Sequence, residues 1–181
     1  FDVKSVSENV YLVCETPHKF IIKVNGKEID KTDRGYFADK SFRKLSIAGM
    51  LKEGRNTIST EIDFAPNPKI YDDLEKALVF ESEKNKLTFE TEFESVYIIG
   101  DFSVNTNGEF EKLDKNAVRY KGRFEVDKTK EEIELSNIEQ QGFPFFSGRM
   151  TVKKTFNIDD VNYGIFFDKK GVNAVNVKVN D

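Results

Sequence analysis

Three glutamates at alternate positions, Glu90, Glu92 and Glu94, are the residues whose spacing best suits acid–base chemistry. Hydrolysis of a glycosidic bond needs two carboxyl groups roughly 5–10 Å apart, and side chains two residues apart on a strand share one face. However, apolar residues such as Phe89 and Phe93 alternate with these glutamates, which is typical of a strand with one face in solvent. We therefore predict a structural role for the glutamates and no catalytic residue in this chain.

Other reactive residue types are scarce. The single histidine, His18, and the single cysteine, Cys14, do not form a catalytic triad or a zinc-binding spacing, and no glycine-rich phosphate loop is present. Cys14 lies in an apolar run, which predicts a buried and unreactive thiol. Aspartate oxygens in sandwich loops suit calcium, so one structural calcium ion at Asp39, or at Asp63 with Asp101, stays open. Otherwise we predict no metal and no cofactor.

Aromatic residues in predicted loops are the better candidates for ligand binding. Sugars dock on flat apolar rings that are combined with placed polar groups. Because the chain contains 17 Phe and no Trp, these rings have an alternative role in filling the core or a contact between modules. The candidate carbohydrate-binding residues are Arg34, Tyr36, Phe37, Phe143, Phe145 and Phe146.

Short segments that alternate between apolar and polar residues predict strands, as at residues 10–14 and 20–24. Asn25-Gly26 predicts a tight hairpin turn with Gly26 at positive φ. Helical spacing over residues 70–84 predicts one helix packed on the sheets. Together these patterns predict an all-β chain, an antiparallel β-sandwich with one inserted helix.

Several further segments are predicted from the same alternation and from turn residues. A loop is predicted over residues 31–35, with Tyr36 and Phe37 placed just after it. The remaining predictions are a strand pair over 3–15, a strand over 87–93, a pair of strands over 118–126, a charge-rich hairpin over 128–134, and strands over 149–156, 164–167 and 172–179.

Composition limits the classes of partner. The 181 residues include 28 Lys and Arg against 32 Asp and Glu, a net charge of −4. Acidic and basic residues alternate along the chain, which is typical of a solvated surface, so we predict no nucleic-acid and no membrane partner. A single cysteine suits a reducing compartment, but many exported bacterial proteins also lack disulfides, so the compartment stays open.

A strand–turn–strand pattern near the start recurs near the end. Residues 10–25 contain a strand, a polar turn and a strand that ends in Asn25, and residues 163–180 follow the same order and end in Asn180. Asp181 stands where the first copy has its glycine. Because few residues are identical, two unrelated amphipathic hairpins stay an alternative to a true repeat. If the repeat is real, we expect this chain to be a piece of a larger protein.

Ordered short motifs carry a resemblance to a known family. The segments VNGK at 24–27, YFAD at 36–39, LSI at 45–47 and LKEGRNTI at 51–58 resemble the later half of a galactose-binding-like jelly roll. This jelly roll is the sugar-binding domain of glycoside hydrolase family 2 and of rhamnosidase-like bacterial proteins. The segments FFSG at 145–148 and TVKKTF at 151–156 resemble its opening strand. We expect turn or structural roles for Asn25, Gly26, Asp39, Gly54 and Asn56.

The resemblance implies a role but no catalytic residue, because the catalytic glutamates of family 2 lie in a separate barrel domain. It implies a non-catalytic accessory module of a bacterial glycoside hydrolase-like protein, which binds carbohydrate or braces the catalytic domain. The expected partner is a glycan or the rest of a glycosidase-like chain. An adhesin-like or assembly module with no associated glycosidase is the alternative.

The same landmarks suggest a division of the chain. We predict a jelly-roll module over residues 1–68, a helical connection over 69–86 and a β-rich continuation over 87–142. Residues 143–181 then begin a second jelly-roll-like repeat, or complete a single sandwich with the first module.

Overall fold

The computed structural model describes residues 1–88, 93–135, 137–146, 149–157, 159, 164–166 and 174–180. The chain divides into two units, residues 1–146 and residues 147–181, and each is described by itself.

Among the described residues, the first unit contains thirteen strands, one α-helix and four 3₁₀ turns. The strands are β1 (Asp2–Val3), β2 (Val10–Glu15), β3 (Ile21–Val24), β4 (Lys27–Glu28), β5 (Asp33–Phe37), β6 (Asp39–Ser46), β7 (Gly54–Arg55), β8 (Ile58–Glu61), β9 (Tyr97–Gly100), β10 (Ser103–Thr106), β11 (Glu109–Lys112), β12 (Val118–Lys121) and β13 (Phe124–Asp127). The helix, α1, spans Lys69–Val79, and the 3₁₀ turns span Pro17–Lys19, Glu81–Lys86, Asp114–Asn116 and Ile138–Gln140. The predicted all-β class with one helix is confirmed.

Two sheets contribute to one hydrophobic core, which gives the first unit its sandwich. One sheet has the strand order β5-β6-β2-β9 and the other the order β4-β3-β8, and every pair in both sheets is antiparallel. Because successive strand residues point to opposite faces, β2, β3 and β6 each direct one face into this core. Its buried residues are Val10, Leu12, Cys14, Phe20, Ile22, Val24, Ile29, Leu45, Ile47 and Leu51. The jelly-roll strand order stays a prediction.

The predicted burial of Cys14 is confirmed, since only 3% of the residue is exposed. Burial raises the pKa of the thiol above its ordinary value, and the nearby charge of Glu15 adds to the effect. A raised pKa keeps the sulfur protonated at neutral pH, and a protonated thiol is a poor nucleophile.

A third sheet corrects the expected pairing of the first two strands. Its order is β10-β13-β1-β7, with β1 parallel to β13 and antiparallel to β7. The predicted pairing within residues 3–15 is therefore wrong, because both edges of β1 are already hydrogen-bonded and leave no side for β2. The fourth sheet is the separate hairpin of β11 and β12.

The helix is present but shorter than its sequence pattern. It ends at Val79, before the predicted end at residue 84, because Phe80 takes an extended conformation. The chain then continues in the 3₁₀ turn that spans Glu81–Lys86. Two helix residues seven positions apart, Ile70 and Ala77, are buried on one face, as expected for a helix packed on sheets.

The predicted hairpin turn at Asn25-Gly26 is confirmed. Val24 pairs with Lys27 across β3 and β4, which leaves two residues in the turn. Both have positive φ, 52° at Asn25 and 81° at Gly26. This combination matches the twist of the two strands and is tolerated best by asparagine followed by glycine.

A fully buried amide, that of Asn56, organises the loop before β8. Its Nδ2 group donates to the carbonyl oxygens of Lys52 (2.6 Å) and Gly54 (2.9 Å), and its Oδ1 accepts from the backbone N–H of Lys52 (3.0 Å). Gly54 has a φ of 84°, which lets the backbone turn around this side chain. The loop closes around one asparagine.

The same amide connects this loop to the β3–β4 turn. Asn25 donates from Nδ2 to Oδ1 of Asn56 (2.8 Å) and to the carbonyl oxygen of Met50 (3.0 Å). Its own Oδ1 accepts from the backbone N–H of Thr57 (3.1 Å). We call Asn25 and Asn56 the amide pair. The two asparagines of the VNG and GRN motifs therefore meet in space, although 31 positions separate them.

Two predictions for the second half of the chain are wrong where the structure describes it. Residues 128–135 contain no strand, so the charge-rich hairpin does not form. No strand forms within the described parts of the predicted segments 149–156, 164–167 and 172–179, and the rest of those segments lies outside the described residues. Alternating apolar and polar residues give a segment one apolar face that can be buried, but a strand also needs a neighbouring strand to which it is hydrogen-bonded.

Other predictions fall on residues the structure does not describe. Most of the predicted strand over 87–93 lies outside the described residues, and the described positions 87, 88 and 93 are not in a strand. The proposed repeat rests partly on residues outside the described set, including Asp181. Asn180 does share a left-handed φ of 52° with Asn25. The repeat stays a prediction.

Replacing Asn56 by alanine tests the importance of the amide pair. We expect Asn56→Ala to lower the free energy of unfolding by about 2–3 kcal/mol, because it leaves buried donors and acceptors without partners. Urea unfolding measures this change. The control is Asn85→Ala, at an exposed position of a 3₁₀ turn, where the expected change is within about 0.5 kcal/mol. Equal stability of the two variants would contradict the role of the amide pair.

Candidate functional site

Three of the six candidate residues lie on an edge strand and not in a loop. Arg34, Tyr36 and Phe37 belong to β5, which among the described strands pairs only with β6. The prediction that Tyr36 and Phe37 follow a loop is therefore wrong. The pairing is irregular between Asp33 and Phe37, so that this edge is bulged, and such irregularities re-aim side chains at sheet edges.

The bulged edge carries an exposed tyrosine whose ladder partner belongs to a charged pair. Tyr36 lies opposite Arg43 in the ladder and is 51% exposed. The guanidinium of Arg43 forms an ion pair with Asp33 and donates to the carbonyl oxygen of Lys40 (3.1 Å). An arginine held on two sides loses little further freedom when it binds a ligand. We call Asp33, Arg34, Tyr36 and Arg43 the hairpin surface.

Asp39 has a local structural role at the start of β6. Its Oδ1 accepts from the backbone N–H of Ser41 (2.8 Å), and the Ser41 hydroxyl lies 2.8 Å from the same oxygen and 2.6 Å from Oε1 of Glu15. These hydrogen bonds, first from the backbone and then from the side chain, lower the pKa of Asp39 below its usual value. The carboxylate thus stabilises the turn between β5 and β6.

The other aspartates considered for calcium are spread over different features. Asp101 accepts from Nδ2 of Asn9 (2.6 Å), and Asp63 lines a cleft beside β3 and β8. In the part of the chain that the structure describes, no group of three or more His, Cys, Asp or Glu residues is placed to hold a metal ion.

The cleft beside β3 and β8 has a volume of about 320 Å³. Its lining residues are Lys19, Ile21, Glu61, Ile62 and Asp63. Lys23 pairs with Glu61 at 3.3 Å. None of the lining residues is a histidine, cysteine or serine that could act as an activated nucleophile. Of the predicted carboxylate series, Glu94 is exposed, lies outside any strand and does not line this cleft, and Glu90 and Glu92 lie outside the described residues.

The remaining three candidates follow the last 3₁₀ turn of the first unit. The backbone N–H of Phe143 donates to Ile138 (3.2 Å), and that of Phe146 donates to Phe143 (3.1 Å). These bonds fold the segment back on itself. Phe143 is half-buried, whereas Phe145 is 68% exposed. The three rings therefore differ in how far they are available to a ligand.

Phe145 joins a series of rings that the sequence analysis did not single out. Ring centroids lie 5.0 Å apart for Phe110 and Tyr120, 4.7 Å for Tyr120 and Phe124, and 4.8 Å for Phe124 and Phe145. We call these four residues the aromatic row. The predicted pair of strands over 118–126 contains Tyr120 and Phe124, but nothing in the sequence indicated that Phe145 reaches them.

The structure separates the six candidates into two groups. Among the described rings, the contacts of Phe145 lead along the aromatic row, and none leads to Tyr36 or Phe37. The first unit thus carries two aromatic surfaces, the hairpin surface and the aromatic row. The hairpin surface carries the exposed ring of Tyr36, whereas the aromatic row combines the exposed rings of Phe124 and Phe145 with the half-buried rings of Phe110 and Tyr120.

Comparison of the chain with family models, with curated proteins and with solved structures finds no match. No helix in the described part of the chain is long and apolar enough to cross a membrane.

The hydrogen bonds of Asp39 predict a pH-dependent contribution to stability. Because the pKa of Asp39 is lower in the folded chain than its ordinary 3.8, its ionised form stabilises the fold above that pH, and this stabilisation is lost as the pH falls through the folded pKa. We therefore expect Asp39→Ala to unfold at lower urea concentration than the unmodified chain at pH 7, with the difference shrinking below pH 3.8.

Urea unfolding at pH 7, 5, 4 and 3 measures this dependence, with Glu53→Gln as a control for removing an exposed carboxylate outside the hairpin. A stability difference for Asp39→Ala that stays constant across this range would show that the charge of Asp39 is not the stabilising feature.

Proposed function

We propose that this chain is a non-catalytic accessory β-sandwich module that binds carbohydrate. The observation that carries the proposal is the hairpin surface, where exposed Tyr36 lies opposite Arg43 in the ladder and Asp33 holds the Arg43 guanidinium in place. An aromatic ring offers the apolar face of a sugar a flat contact, and arginine and carboxylate groups supply directed hydrogen bonds to hydroxyls.

The position of this surface suits recognition by an extended ligand. β5 is an edge strand, so a ligand reaches it from the open side of the sheet without entering an enclosed pocket. The rest of the sheet is anchored by the buried side chains of β2 and β6. A rigid scaffold beneath an exposed hairpin keeps the ring and the charged pair in a fixed arrangement, which lowers the entropy cost of binding. The proposal assigns no catalytic residue to this chain.

The resemblance of the VNG and GRN motifs to the sugar-binding domain of glycoside hydrolase family 2 agrees with this proposal. In that context the module belongs to a bacterial glycoside hydrolase-like protein. An adhesin-like or assembly module would use the same surfaces without an associated hydrolase. The two contexts are distinguished by whether the parent reading frame encodes a barrel domain.

Bracing of a neighbouring domain is a second candidate function, favoured by the outer face of α1. Tyr71, Leu74 and Leu78 follow one another at helical spacing and are 62%, 38% and 88% exposed. Val79 and Phe80 extend this apolar stripe past the end of the helix. Exposed apolar patches of this kind mark contact surfaces.

Binding of glycans to a Tyr36→Ala variant tests the main proposal. A labelled preparation of the whole chain is applied to a glycan array, and the affinity for each bound glycan is then measured by calorimetry. We expect Tyr36→Ala to weaken binding about two- to tenfold, because an aromatic stacking contact is worth about 0.5–1.5 kcal/mol. Tyr71→Ala, which removes an equally exposed tyrosine from α1, is expected to bind as the unmodified chain does. No glycan binding by the unmodified chain, or equal binding by both variants, would contradict the proposal.

Replacing Leu78 by glutamine tests the bracing role in the intact parent polypeptide. If the stripe is buried against a neighbouring domain, Leu78→Gln is expected to lower the stability of that domain by about 1.5–3 kcal/mol, the value of burying one leucine side chain. Leu113→Gln, at an exposed leucine outside the helix, serves as the matched control. Unchanged thermal unfolding of the neighbouring domain in both variants would contradict the bracing role. It would not bear on the proposed carbohydrate binding.

A further inference from the structure

We propose that the aromatic row is a second binding surface, a stacking platform for an unbranched polysaccharide. This inference rests on the proposed carbohydrate-binding function and specifies its ligand class. The four rings come from different parts of the chain, Phe110 from β11, Tyr120 from β12, Phe124 from β13 and Phe145 from the segment after the last 3₁₀ turn. The fold therefore brings them into one series of ring-to-ring contacts.

The middle of the row is fixed by its surroundings. Phe110 lies directly opposite Tyr120 in the β11–β12 ladder, and the Tyr120 hydroxyl donates to the carbonyl oxygen of Arg123 (2.9 Å). The Tyr120 ring also lies against Gly122, where a Cβ atom would collide with it. A ring held by a ladder partner, a hydrogen bond and a close backbone contact has little freedom left to lose on binding.

The two faces of the β11–β12 hairpin have different chemistry. On one face, Glu111 pairs with Lys121 (3.0 Å) and with Arg119 (3.6 Å). The other face carries Phe110 and Tyr120, together with Lys112 and Val118 by strand alternation. Both basic residues of the first face are paired with Glu111, whereas the second face offers apolar rings next to the ammonium group of Lys112.

The size of the row excludes a stable protein interface that depends on it alone. Phe145 and Phe124 are 68% and 37% exposed, and the other two rings are less exposed. Since an aromatic side chain offers about 150–250 Å² in total, the row presents on the order of 300 Å². A stable protein–protein interface buries about 800 Å² on each partner. The row suits a narrower ligand.

Single-stranded nucleic acid and neutral polysaccharide are both narrow ligands that stack on aromatic rings, and the charge of the protein distinguishes between them. Single-stranded nucleic acid combines base stacking with a positively charged groove. This chain has a net charge of −4, and Arg119 and Lys121, on the hairpin face opposite the rings, are paired with Glu111. A neutral polysaccharide needs stacking without a cationic groove. Successive ring centroids lie 4.7–5.0 Å apart, with the ring planes tilted by 39–55° to one another, so the row offers a narrow, elongated ligand several apolar contacts within a short distance.

Affinity electrophoresis of the whole chain tests this platform. The gels contain soluble unbranched polysaccharides, and the same sugars are supplied as mono-, tri- and hexasaccharides in calorimetry. We expect affinity to increase with oligosaccharide length, and Phe145→Ala to weaken binding of the polymer and the hexasaccharide about two- to tenfold with little effect on the monosaccharide. Phe64→Ala is the matched control, because Phe64 is 55% exposed and lies outside the row.

The outcomes separate this proposal from the one on which it rests. Loss of polymer binding in Phe145→Ala but not in Phe64→Ala supports the platform. Polymer binding that Tyr36→Ala weakens and that Phe145→Ala leaves unchanged overturns the platform and retains the proposed function. Absence of binding to any glycan overturns both. Binding of a single-stranded oligonucleotide that Phe145→Ala abolishes would overturn the polysaccharide as ligand. Circular dichroism of each variant verifies that it is folded.

Discussion

The buried amide of Asn56 is the interaction on which the sandwich most depends. A buried amide is costly unless its donors and acceptors are paired, and here both donors and the acceptor oxygen have protein partners. Through Asn25 the same group connects the β3–β4 turn to the loop before β8, whose strands are neighbours in one sheet. Polar contacts thus fix the relative position of two turns that apolar packing alone would leave adjustable.

This fixed end of the sandwich has a consequence for the opposite sheet. The core residues of β3 pack with those of β2 and β6. The amide pair fixes the turn after β3, and the core connects β3 to β6, which is the inner strand of the hairpin β5–β6. The hairpin itself adds few buried side chains and exposes Tyr36 and Phe37. A rigid scaffold with an exposed, bulged edge is the arrangement that a binding module uses, because its surface can vary without disturbing its core.

Local chemistry made parts of this structure predictable. Asn25-Gly26 specified its turn because few other pairs adopt two successive positive φ angles, and Cys14 could be placed in the core from the apolar run around it. The contact between Asn25 and Asn56 could not be predicted from spacing, since the two residues are 31 positions apart and meet only when the segment between them has folded. The amide pair connects the VNG and GRN motifs, each of which supplies one of the two hydrogen-bonded asparagines.

Failures of prediction also have identifiable causes. Asp33 and Gly35 indicated a loop, and Asp33 does accept the Gly35 N–H locally (2.8 Å), but the ladder with β6 tolerates this feature as a bulge. Alternating residues in the second unit indicated strands, whereas its described residues have no ladder partner. In both cases the residue pattern indicated a conformation that one segment can adopt. The conformation that it does adopt depended on whether a neighbouring strand pairs with it. For the same reason the aromatic row was visible only in the folded chain.

The most direct test of carbohydrate binding by this module is a titration of the isotopically labelled chain with an unbranched oligosaccharide, followed by NMR. We expect the titration to shift the resonances of Tyr36 and Arg43 in the hairpin surface and of Phe124 and Phe145 in the aromatic row. These shifts should reach a plateau as the binding site becomes saturated with oligosaccharide. Resonances of the amide pair and of the cleft beside β3 and β8 should stay in place. Shifts confined to that cleft, or no shifts with any glycan, would contradict the account.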